Sequence, residues 1–196
     1  MKVSVIIPTY NQEVLLSRAV ASLPLDEDIE VIIIDDGSTD DTWQVAKELA
    51  THPKITAYHL LLNQGVSVAR NLGIDKAQGE YLFMLDSDDY VYTKKFIQAL
   101  QFLDGTDLVY YNLKTNTGKL LKLQPNSKMA LCGTTKFMRK DFVEKNRYPV
   151  GRNVGEDWQF YMELLKKKPT ERFTNLVVTH YNYPREGSLT YNARKR

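Results

Sequence analysis

Two runs of β-branched and apolar residues, "VSVII" at 3–7 and "IEVIII" at 29–34, are separated by a stretch of helical period. That spacing constrains the fold more than anything else in the chain. Strands joined through a helix in this way build βαβ units around a parallel sheet. Between them, "QEVLLSRAVASL" sets Leu15, Ala19, Val20 and Leu23 along one face, with Pro24 just past its end. The turn cluster "DDGSTDDT" carries candidate N-caps for a helix over "WQVAKELA". A strand near 55–61, a helix near 66–77 and the strand "YLFML" at 81–85 complete a regular α/β layer.

The second half is less regular. "TKKFIQALQFL" predicts a helix, and "DLVYYNL" with "KLLKL" predicts two strands joined through "KTNTG" as a hairpin. "GEDWQFYMELLKKK" predicts a helix with Trp158, Tyr161, Met162 and Leu165 at i, i+3, i+4 and i+7, and "FTNLVVTHYNY" a final strand. No Gly/Ser-rich or Pro-rich linker, repeat or low-complexity tract interrupts the chain. With 196 residues, 43% of them hydrophobic, it can bury a sizeable core. The expectation is a single α/β domain over 1–196 with a mostly parallel central sheet flanked by helices. A nucleotide-type half covers about 1–103 and a substrate-type half about 104–196.

Lys and Arg total 26 against 24 Asp and Glu, and the net charge of +2 gives no sign of a nucleic-acid partner. The single cysteine, Cys132, excludes an intramolecular disulfide and a Cys-based zinc site, and it predicts a reducing, cytoplasmic compartment. Before Pro8 the N-terminus offers one Lys and five residues, too short for a signal core or a membrane span, so any membrane contact is expected to be peripheral, at the inner face.

Chemistry concentrates at "YLFMLDSDDY", where a buried strand runs into Asp86, Ser87, Asp88 and Asp89. In open α/β sheets ligands bind beyond the carboxyl ends of the strands. Crowded carboxylates repel unless a cation compensates, and a hard divalent ion such as Mg²⁺ or Mn²⁺ takes one or two carboxylates plus phosphate oxygens. The structural alternative is that Asp88 or Asp89 caps the helix near Thr93 or makes an Asx-turn. An EF-hand is excluded, because Val91 stands where that loop needs Gly. "SVIIPTYN" ends the first strand at Pro8, and its Thr9, Tyr10 and Asn11 either decorate a loop or present the Tyr10 ring to a nucleobase. Asp35 and Asp36 lie on a Gly-containing turn, and Arg70 in "GVSVARNLG" is either a solvated helix residue or a fork for a phosphate or base.

In order, "SVIIPTYN", "VIIIDDGSTDDT", "GVSVARNLGI", "GEYLFMLDSDDY" and "GEDWQFYMELL" resemble the family 2 glycosyltransferases, inverting enzymes of the hexosyltransferase type with a GT-A type fold. The resemblance covers about the whole chain. It implies that Pro8, Thr9, Tyr10 and Asp36 hold the base and ribose of a nucleotide-sugar, with a UDP-sugar the commonest case over GDP or dTDP forms, and that Arg70 contacts the base. Asp86, Ser87 and Asp88 correspond to the Asp-x-Asp motif, on ribose and on a metal-bound diphosphate. Asp157 is implied as catalytic base with Glu156 beside it, and His180 as a third metal ligand, although a lone His or two acids in a first helical turn also have purely structural uses. The implied acceptor is a saccharide or lipid-linked glycan in cell-surface polysaccharide or lipopolysaccharide assembly.

The segment "YNYPREGSLTY" departs from the family pattern by placing Pro184 where an Arg is common, with Arg185 after it. Many relatives continue with further helices, so acceptor docking is expected to be reduced here or supplied by another chain, a homodimer included. A non-catalytic nucleotide-sugar binding module is the main alternative. A phospho-signalling receiver domain would also pair Asp35 and Asp36 with Asp86, but a full βα unit precedes the acidic pair here.

Overall fold

The computed structural model describes residues 2–125, 127, 130, 132–151 and 155–183. The first half runs β1 (Val3–Thr9), α1 (Glu13–Ala21), β2 (Ile29–Asp35), α2 (Thr42–Leu49), β3 (Ile55–His59), α3 (Val66–Lys76) and β4 (Tyr81–Met84). The second runs β5 (Tyr90–Val91), α4 (Thr93–Leu100), β6 (Leu108–Thr115), β7 (Leu120–Leu121), a 3-10 turn (Gly133–Thr135), β8 (Lys136–Arg139), α5 (Lys140–Val143), α6 (Glu156–Lys166) and β9 (Glu171–Tyr181). One sheet joins them in the order β3-β2-β1-β4-β8-β6-β9-β5, with β7 paired to β6.

The expected α/β layer is present. β1 pairs in parallel with β2 and β4, and β2 with β3. Every residue of β1 is buried, as both faces of a helix-covered parallel strand must be. α3 lies against β1 and β2 so closely that a Cβ on Gly73 would come within 2.3 Å of an Ile6 methyl.

Beyond β4 the sheet is mixed rather than mostly parallel. β8 runs antiparallel to both β4 and β6, β5 antiparallel to β9, and among the described residues β6–β9 is the one parallel pair in this half. The hairpin of β6 and β7 forms as its glycine predicts. β8 was not expected: four residues long and beginning with a lysine, it lacks the apolar run that marks a central strand. Two helices also bury faces rotated from the predicted ones. α1 buries Leu16 with Ala19 and Val20, leaving Leu15 half-buried. α6 buries Phe160, Tyr161 and Leu164, whereas Trp158 is 55% exposed. The aromatic residues of the substrate half are mainly core, with Tyr110, Tyr111, Phe137 and Tyr148 all buried.

Candidate active site

β1, β2 and β4 run the same way, so Thr9, Asp35 and Asp86 emerge at one edge of the sheet. The N-terminus of α6 reaches the same place through Arg70, which projects from α3. Arg70 is 4% exposed, and its guanidinium is shared among three carboxylates: one terminal nitrogen bonds Asp86 Oδ1 at 3.0 Å, and the other bonds Glu156 Oε1 at 3.0 Å and Asp157 Oδ1 at 3.1 Å. Its carbon lies 5.2 Å from the centroid of the Tyr148 ring. Burial alone would lower the Arg70 pKa, but Asp157 and Asp86 override it and raise it well above the ordinary value.

Arg70 was expected to contact a base. Its fork meets carboxylates 16 to 87 residues away in sequence, partners that planar paired donors suit. The bridge brings the acid after β4 and the acids that open α6 to one guanidinium.

Asp157 receives one donor on each oxygen: Arg70 on Oδ1 and the Gly133 N–H on Oδ2 at 3.1 Å. A quarter of its side chain remains exposed. Burial raises its pKa, with Arg70 opposing and Asp86 reinforcing the shift. That is the direction a carboxylate needs if it is to accept a proton near neutral pH.

The turn after β4 is held on several sides. Asp89 donates its N–H to the Asp86 carbonyl at 2.9 Å, and the Arg18 guanidinium donates to the Asp88 carbonyl at 2.6 Å. Ser87 is buried. Asp89 is 1% exposed and accepts the Asn182 N–H at 2.7 Å, tying the turn to the end of β9. Burial, then Asp86 and Asp88, push its pKa well above the usual carboxylate range. Neither Asp88 nor Asp89 caps α4, whose N-cap residue is Tyr92 and has no side-chain cap bond.

The remaining expected residues divide. Pro8 and Thr9 are buried at the end of β1, and Tyr10, just past it, is 41% exposed. Asp36 is committed to the protein: its two oxygens accept the N–H groups of Gln64 and Gly65, each at 2.8 Å, and pin the loop that enters α3. The carboxylate expected at a ribose thus also has a structural use, holding the entry to α3. His180 is paired with Tyr90 across β9 and β5, and their rings stack at 4.4 Å between centroids. Burial lowers its pKa, with Arg18 adding to the effect. Among the described residues, no three acidic, His or Cys side chains are grouped so as to hold a metal ion, so His180 is not gathered with Asp86 and Asp88. Pro184 and Arg185 lie outside the described residues.

The oxygen donors nonetheless suit a hard divalent cation. One guanidinium faces three carboxylates, with Asp88 and Asp89 adjacent, and so many acids around one buried cation leave negative charge that a second cation would compensate. Sequence reasoning missed the Gly133 N–H, which belongs to the unpredicted segment before β8 and carries no side-chain signal.

Comparison with known proteins agrees with this architecture. The family model "Glycosyl transferase family 2" matches residues 4–168. An uncharacterized glycosyltransferase of Haemophilus influenzae is 31% identical over 182 residues, 84% of this chain and 72% of its own. The Escherichia coli protein WfaP, a UDP-Glc:alpha-D-GlcNAc-diphosphoundecaprenol beta-1,3-glucosyltransferase, is 28% identical over 98% of this chain and 81% of its own. Among solved structures, S. aureus TarS 1–349 in complex with UDP superposes with a TM-score of 0.80 at 25% identity, covering 93% of this chain and 60% of that one. The mannosyltransferase PcManGT of Pyrobaculum calidifontis, in complex with GDP-Man and Mn²⁺, shares the fold at a TM-score of 0.76 and 20% identity, over 99% of this chain and 60% of that one. The chain thus spans about three fifths of the solved proteins it resembles. With a family match over most of its length and a GT-A fold shared with TarS, the chain belongs to glycosyl transferase family 2.

Proposed function

We propose that this protein transfers a sugar from a nucleoside-diphosphate sugar, a UDP-sugar, to an acceptor hydroxyl by single displacement with inversion. The observation that carries the reading is the Arg70 bridge, which holds Asp86 and Asp157 at 3.0 and 3.1 Å from one guanidinium. A direct displacement needs charge stabilisation on the leaving side and proton removal on the attacking side of one carbon, and the two carboxylates, held by one guanidinium, serve those two sides. Residues 1–103 serve the donor and 104–196 the acceptor in this reading.

Tyr10 takes the base, and Pro8 and Thr9 line the floor with Ser87. Asp86 and Asp88 hold Mn²⁺ or Mg²⁺, and when bound the ion offsets the charge that gathers on the leaving diphosphate. Asp157 accepts the proton of the acceptor hydroxyl, a contribution of roughly 10²- to 10⁴-fold to the rate. Glu156 shares Arg70 with it and keeps the guanidinium in place. No covalent intermediate is required. UDP in TarS, GDP-Man with Mn²⁺ in PcManGT and the lipid-linked acceptor in the name of WfaP all support these roles. We place the acceptor, a saccharide or lipid-linked glycan, in cell-surface polysaccharide assembly at the inner face of the membrane. No helix among the described residues is long and apolar enough to cross a membrane, so contact with it through them would be peripheral.

A thermal-shift panel of UDP, GDP, dTDP and their sugars, with and without Mn²⁺, tests the donor assignment. At a hundredfold excess over Kd a ligand stabilises by about 2.7 kcal/mol, roughly 5–10 °C for a domain of this size. UDP ligands with Mn²⁺ are expected to give that shift. A flat response to every nucleotide would contradict the proposal.

A further inference from the structure

Beneath Asp157 lies a cation that the chemistry above does not use. Lys136 opens β8 with no exposed surface. Its Nζ donates to the Cys132 carbonyl at 2.7 Å and lies 3.3 Å from the centroid of the Tyr161 ring and 5.4 Å from that of Tyr110. Burial brings its pKa down to about 7, and Cys132, Asp157 and Glu171 pull against that shift. Withdrawing an ammonium from water is costly, and an apolar side chain of similar length would fill the same space without that cost.

The turn that Lys136 grips is held through three successive carbonyls. Cys132 accepts from Lys136 Nζ and from Thr135 Oγ1 at 2.8 Å, Gly133 from the Tyr161 hydroxyl at 3.3 Å, and Thr134 from the Tyr111 hydroxyl at 3.0 Å. With its carbonyls fixed from within, the turn aims the Gly133 N–H at Asp157 Oδ2, 3.1 Å away. The approach is close enough that a Cβ on Gly133 would lie 3.3 Å from Asp157 Oδ1. Among the described residues two donors orient this carboxylate, Arg70 and Gly133, and one of them depends on the turn.

We infer that Lys136 is a positioning residue: by anchoring the Cys132 carbonyl it fixes the Gly133 N–H that orients Asp157. The catalytic importance of that orientation rests on the proposed function, whereas the anchoring can be read without any substrate. The titratable and charged groups that face Asp157 are Arg70 from α3, Asp86 from the turn after β4, Glu156 and Tyr161 from α6, Tyr148, Cys132 and Lys136 itself, and those that face Lys136 are Cys132, Asp157, Glu171, Tyr110 and Tyr161.

Lys136→Met keeps the length and removes the donor and the charge, while the Cys132 carbonyl retains Thr135. In the nucleotide-free protein, NMR is expected to show exchange of the Gly133 amide accelerated by about tenfold or more. The Asp157 carboxyl should titrate about one pH unit higher, because it loses part of its N–H bond and a nearby positive charge. If this variant fails to fold, Lys136→Gln is read by the same two criteria. A folded variant with unchanged Gly133 exchange and an unchanged Asp157 midpoint overturns the inference, even if its melting temperature moves. Because neither reading needs a nucleotide, a failed donor assignment would appear separately, as absence of UDP binding by the wild-type chain.

Discussion

Asp157→Asn is expected to lower the rate of sugar transfer by about 10²- to 10⁴-fold and to change the affinity for UDP far less. The substitution keeps the side-chain shape and one hydrogen-bond acceptor for Arg70 but removes the lone pair that takes up the acceptor proton. Asp157 makes its bonds to Arg70 and Gly133 and reaches Asp86 only through Arg70, so UDP affinity should change far less than the rate. In the wild type, activity should rise with pH through a midpoint above the ordinary carboxylate range, since burial raises the Asp157 pKa and only the ionised form is a base. Stability runs the other way: the folded state holds this proton more tightly than the unfolded chain, so Asp157 destabilises the fold as pH rises through the same window. The checks are initial rates of UDP release from the sugar nucleotide that gives the largest thermal shift, at saturating donor, and calorimetry with UDP. A variant that retained wild-type rates would remove Asp157 from the role of base.

Arg70→Met should have the largest effect on stability. It leaves Asp86, Glu156 and Asp157 facing one another with no guanidinium between them, and breaking a buried ion pair from one side costs about 3–5 kcal/mol. The acids are 33%, 11% and 25% exposed, so water relieves part of this and the lower end, about 3 kcal/mol, is expected. The corresponding fall in melting temperature is roughly 6–12 °C. The deficit should shrink on acidification, as Asp157, whose pKa is already raised, takes up a proton instead of a partner. Urea unfolding at pH 7.5 and pH 5 measures both values. Equal deficits at the two pH values would show that Arg70 acts through packing on Tyr148 rather than through its charge.

The legible part of this protein was the part with periodicity. β1, β2 and β4 announce themselves as apolar runs because both of their faces are buried, and the turn at Asp86 is conspicuous because acids seldom follow such a run without a purpose. β8 was illegible for the opposite reason. A lysine at a fully buried position and a strand of only four residues carry no hydropathy signal, although β8 is the strand that joins the two halves of the sheet. Family resemblance selected Arg70, Asp86 and Asp157 separately, but only the fold shows that they touch, since contacts at sequence separations of 16 and 87 have no local signature. The same gap hid the structural duty of Asp36, which an isolated Asp-Gly turn does not reveal. Trp158 shows how a helical stripe can be read one residue out of phase: Phe160, Tyr161 and Leu164 make an equally apolar face, and tertiary packing chose that one.

Paramagnetic resonance of Mn²⁺ titrated into the protein with and without UDP tests most directly whether the acidic turn after β4 holds a divalent ion together with a nucleoside diphosphate. Free Mn²⁺ gives a sharp signal that disappears on binding. UDP is expected to tighten Mn²⁺ binding by about tenfold or more, a coupling of ordinary size between two ligands that share a site, and Asp88→Ala should erase that gain. Mn²⁺ binding that ignored UDP, or a gain that survived the loss of Asp88, would contradict the account.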